Sequence, residues 1–107
     1  MGLFKKRYQK NVTRDNEFLK GYAIRTNGLL IFAEGNEKLT EELTSLKNDF
    51  QYAVATPSKE AKAIEQKIVE DFEKLSAALE QPNWEEESVL LTIKSLRRSI
   101  INITSLR

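Results

Sequence analysis

The stretch from Phe18 to Ala53, FLKGYAIRTNGLLIFAEGNEKLTEELTSLKNDFQYA, decides the fold of this chain. Its side chains recur every seven residues without a slip. Phe18, Arg25, Phe32, Leu39, Leu46 and Ala53 form one column, and Tyr22, Leu29, Asn36, Leu43 and Phe50 form the other. Together the columns lie along one side of a helix, which is the pattern of a coiled-coil seam. Three of the four glycines, Gly21, Gly28 and Gly35, keep the same period. A glycine inside a helix costs about 1 kcal/mol relative to alanine, so a structural reason for each is required. Either one long helix uses them to admit a close neighbour, or the helix breaks near Gly28 to Gly35. The heptad repeat of the glycines favours the first reading. The turn-forming pairs Asn27-Gly28 and Gly35-Asn36 favour the second.

Working outward, Asp15 or Asn16 can cap the first helix, and Glu17 suits the positive end of its dipole. The pattern then runs to about Val54. Thr56 and Pro57 read as the start of a second helix, because proline at the first helical position forfeits no needed hydrogen bond. This helix runs to about Glu80 with Ala61, Ile64, Ile68, Phe72, Leu75 and Leu79 on its apolar face. Gln81 and Pro82 end it. Asn83 with Glu86 has capping-box spacing and predicts a third helix from Trp84 to about Leu106. Val89, Leu90, Ile93, Leu96, Ile100 and Ile103 form the stripe of that helix. Leu91, Ile101 and Leu106 widen the stripe, which predicts the most buried helix of the three, or one buried on two sides. No segment alternates with period two, so the chain reads as all-α.

These elements predict an antiparallel three-helix bundle with a long first helix over 15–107, preceded by a basic, poorly ordered leader over 1–14. The alternative is a four-helix bundle, formed if the first helix breaks near Gly28 to Gly35. At 1.5 Å per residue the long helix would reach about 60 Å and the other two about 35 Å each. The front half of the long helix would then project uncovered, and an apolar strip of that size is rarely left bare on a monomer. Phe18, Tyr22, Arg25, Leu29, Phe32 and Asn36 are the expected interaction surface, and a second copy or another helical protein is the expected partner. Within that seam Arg25 and Asn36 could fix register at some cost in stability, or Arg25 could lay its stem along the strip with its head in water.

Composition excludes several chemistries. The 107 residues contain no Cys and no His, so there is no disulfide, no thiolate, no Cys-type zinc site and no imidazole base. Glu34, Glu37 and Glu41 are expected on one helix face, but a helical di-metal site normally adds a Glu-x-x-His motif, so solvated carboxylates are the expectation there. Ser88, Thr92, Ser95, Ser99 and Asn102 make a polar flank on the third helix without a base or a nucleophile elbow beside it. The chain is therefore expected to be non-enzymatic and to bind no cofactor or metal.

Residues 1–27 carry seven basic and two acidic groups, and residues 89–107 carry four basic groups and no acid. A continuous first helix would hold these basic ends at opposite poles, whereas a break would bring them to one. The leader, with Lys5, Lys6, Arg7 and Lys10 among Leu3, Phe4 and Tyr8, supports an alternative function as a peripheral protein on an anionic membrane surface. Nucleic acid is the less favoured partner, because no helix-turn-helix or comparable motif accompanies the bases. With no apolar run near the ~20 residues of a membrane span and no signal-peptide pattern, the expected location is the cytoplasm.

Overall fold

The computed structural model describes the backbone of residues 2–106 and the side chains of residues 16–106, Pro57 excepted in both. It contains four α-helices: α1 (Gly2–Leu29), α2 (Glu37–Tyr52), α3 (Lys59–Glu80) and α4 (Glu86–Thr104). A single 3-10 turn, Leu30–Ala33, separates α1 from α2. The continuous first helix, and the three-helix bundle built on it, thus give way to the four-helix alternative.

The physical reason lies at Gly35 and Asn36. Gly35 has φ +84°, the left-handed region that glycine enters without a steric penalty. Asn36 then caps α2, its side-chain oxygen accepting from the Leu39 amide at 3.0 Å. The Asn36 amide closes the preceding turn on the Ala33 carbonyl at 2.9 Å. The hydroxyl of Thr40 lies between two acceptors, the Asn36 carbonyl at 2.9 Å and the Ala33 carbonyl at 3.2 Å. These bonds take up part of the polar backbone that breaking the helix exposes and lower the hydrogen-bond cost of folding back.

Folding back also satisfies the seam. Tyr22 and Leu29 from α1 and Leu39, Leu43, Leu46 and Phe50 from α2 are all buried in one core. The two halves of the heptad pattern face each other within one chain. The interior also includes Ile68, Phe72, Leu75 and Leu79 of α3 and Val89, Ile93, Leu96, Ile100 and Ile103 of α4.

The helices form two antiparallel hairpins, α1 with α2 and α3 with α4, joined through contact of α2 with α4. The side chain of Asn16 accepts from the Ala55 amide at 3.2 Å, which ties α1 to the connection after α2. The neighbours α2 and α4 run in the same direction: Asn36 donates to Glu86 at 3.3 Å near their starts, and Arg97 donates to Asp49 at 2.7 Å farther along. The break therefore puts Asn16 and the end of α4 towards the same end of the packed helices.

Helix ends differ in detail from the sequence reading. The expected start at Pro57 lies outside the described residues, and α3 begins at Lys59 with the Ser58 hydroxyl accepting from the Ala61 amide at 3.0 Å. Asn83 caps nothing. Residue Glu85 holds the N-cap position of α4 without a side-chain bond, and Trp84 precedes the helix. The backbone of α1 is helical from Gly2, while the leader side chains Lys5, Lys6, Arg7 and Lys10 lie outside those described.

Candidate functional site

The residues expected to form an interaction surface are divided between the core and its edge. Tyr22 and Leu29 are buried, and Phe18 packs half-buried against the core. Tyr22 stacks on Phe50 at a centroid separation of 5.6 Å and meets Phe72 edge-on at 4.9 Å. Phe18 adds a further edge contact to Tyr22 at 5.0 Å. Arg25 lies with its guanidinium 4.7 Å from the Phe72 ring centre and 5.1 Å from that of Tyr22. It also donates to Glu73 at 3.1 Å. A cation over an aromatic face contributes about 0.5 to 1 kcal/mol at such an edge, so Arg25 clips α1 to α3 inside the chain. Asn36 is the cap of α2, and Phe32 in the 3-10 turn remains 39% exposed.

The glycines separate into two kinds. A Cβ added at Gly21 or Gly28 would meet nothing within 4 Å, so no described neighbour uses either for close approach. The left-handed turn belongs to Gly35 alone.

Several of the acidic and hydroxyl groups hold helices together. Glu34 lies in the turn ahead of α2, not on one helix face with Glu37 and Glu41. Among the described residues no cluster of carboxylates could hold a metal ion. Ser95 donates to buried Asp71 at 2.9 Å, and Lys67 reaches the same oxygen at 3.3 Å, which joins α3 to α4. Ser99 is buried in that interface and Thr92 bonds back to the Ser88 carbonyl at 3.0 Å. These contacts use the polar flank to hold two helices together.

Exposed apolar side chains stand at Ile24, Ile31, Tyr52 and Val54, and a further surface feature is the outer face of α4. Leu91 and Ile101, expected to be buried on a second side, are 62% and 61% exposed. Residues 87, 91, 94, 98 and 101 are spaced by three or four and so fall on one strip. Along it Glu87, Leu91, Lys94, Arg98 and Ile101 read as acid, apolar, base, base, apolar. A groove of about 780 Å³ runs beside the strip and is lined also by Leu90 and by Lys38 and Glu42 of α2. Arg97 is already committed, bonding to Asp49 at 2.7 Å and lying 3.8 Å from Glu42. Among the described residues Glu87, Lys94 and Arg98 enter no ion pair.

The widened stripe of α4 was the sequence signal for this surface. Period alone shows that extra apolar residues exist, not whether the chain has another helix to place over them. None of the described helices covers them, since α4 packs chiefly on α3 and α2. No helix among the described residues is long and apolar enough to cross a membrane. No known protein family, curated protein or solved structure matches this chain.

Proposed function

We propose that the protein is a non-enzymatic helical interaction module that acts by self-association, with the outer strip of α4 as its contact surface. The observation that carries this reading is the exposure of Leu91 and Ile101 on one strip of α4 beside a groove, flanked by charges of both signs that enter no ion pair among the described residues. The seam of α1 and α2 cannot serve the same purpose, because Tyr22 and Leu29 are used within the core. Burying an exposed leucine or isoleucine is worth about 1.5 to 3 kcal/mol when complete, so apolar side chains of this strip on a pair of copies make a useful contribution before the cost of association. Charge supports a second copy as the occupant. The strip carries an acid towards one end and bases towards the other, so it complements itself when reversed.

The test is the solution mass of the full chain by light scattering across a tenfold concentration range, for the natural sequence and for Leu91→Glu with Ile101→Glu. The natural chain is expected to approach dimer mass as concentration rises. The double variant is expected to stay monomeric with unchanged helicity, because neither side chain belongs to the core. A natural chain that remains monomeric, or a variant that still dimerises, would overturn the proposal.

A further inference from the structure

We infer that two copies pair antiparallel through α4, in the register that sets Glu87 of each chain against the partner subunit's Arg98. This inference rests on the self-association proposed above and specifies its geometry. A two-fold interface brings the same surface of both copies together; an axis lying across the helices sets them antiparallel, whereas an axis along them would set Glu87, Lys94 and Arg98 each against the same charge on the partner, so the antiparallel pair is favoured. Two registers then compete on this strip. One matches apolar groups, laying Leu91 on the partner subunit's Ile101. That register also places Lys94 on the partner subunit's Arg98, twice by symmetry, in a contact from which water is partly removed.

The other register slides the helices so that Glu87 meets the partner subunit's Arg98. In this register Leu91 of the two copies lie about one helical turn apart along the axis, with the Lys94 stems covering them. Both oppositely charged pairs are made and no like pair is directly opposed. Like charges on facing positions are unfavourable by amounts similar to what opposite charges gain, and the effect grows as solvent is excluded. The absence of ion pairs at Glu87, Lys94 and Arg98 within the chain leaves these charges available for that contact. Arg97, one residue away and paired to Asp49 and Glu42, marks the side of α4 that faces its own bundle.

Sedimentation equilibrium of the full chain distinguishes the registers through three variants, Glu87→Arg, Arg98→Glu and the two combined. Both positions of change are exposed, and circular dichroism melting curves check that each variant folds. In the inferred register each single variant turns two attractions into two repulsions. Each single is therefore expected to weaken the dimer by about tenfold or more, and the combination restores it to within about threefold of the natural chain. In the competing register Arg98→Glu would tighten the dimer by giving Lys94 an opposite charge, and Glu87→Arg would be neutral. Either of those results would overturn the register and leave the self-association standing. A natural chain that shows no dimer, or a dimer unaffected by changes at Leu91 and Ile101, would overturn both.

Discussion

Gly21, Gly28 and Gly35 share one period in the sequence and serve different ends in the fold. The first two sit inside α1 with open space where a Cβ would go, so their flexibility is uncompensated within the chain. Replacing either by alanine is expected to raise stability by about 0.5 to 1 kcal/mol, measured by urea unfolding. Gly35 at φ +84° should respond the other way, with Gly35→Ala losing roughly 1 to 2 kcal/mol. If instead Gly21→Ala or Gly28→Ala weakened dimerisation without lowering stability, α1 and not α4 would be the contact surface. At the same scale, Asn36→Ala removes the cap of α2 and its bond to Glu86, and a loss of about 1 kcal/mol is expected in the same assay.

Among the elements, the α1–α2 hairpin shows how far a heptad pattern can be read. The columns of Tyr22, Leu29, Leu43 and Phe50 correctly mark the buried face, and the apolar positions of α3 and α4 were legible for the same reason. The pattern is silent on what covers that face, because a seam is satisfied equally by another chain or by its own other half. The Gly35-Asn36 pair decided the matter through backbone geometry and capping, both of which are local and were visible as an alternative. The helix starts were less legible. Ser58 and Glu85 won the cap positions from Thr56 and Asn83, and such boundaries turn on one or two residues. The candidate surface was legible as excess apolar residues on α4, but not as exposed ones. Burial of the hairpin leads to a sharp expectation: Tyr22→Glu with Leu29→Glu should unfold the chain, seen as loss of helicity by circular dichroism. A well-folded variant would contradict the intramolecular seam.

For the molecule as a whole, the aromatic contact of Tyr22 with Phe50 and Phe72 joins both hairpins through one core. At dilute concentration the protein should therefore melt in one step, with calorimetric and van't Hoff enthalpies equal; two resolved transitions would show that the hairpins fold independently. Phase continuity across Leu30–Ala33 has another consequence. Because the heptad columns pass from α1 to α2 without a slip, straightening the turn would join them as a single rod whose apolar side is still aligned. Each half of such a rod presents the surface that its counterpart in another molecule normally receives from its own chain. The sequence thus encodes a route to domain exchange, held closed chiefly by the left-handed residue at Gly35 and the cap at Asn36. An interlocked pair formed this way would be slow to separate and indifferent to charge reversal at Glu87 or Arg98, and Gly35→Ala is the change that should populate it.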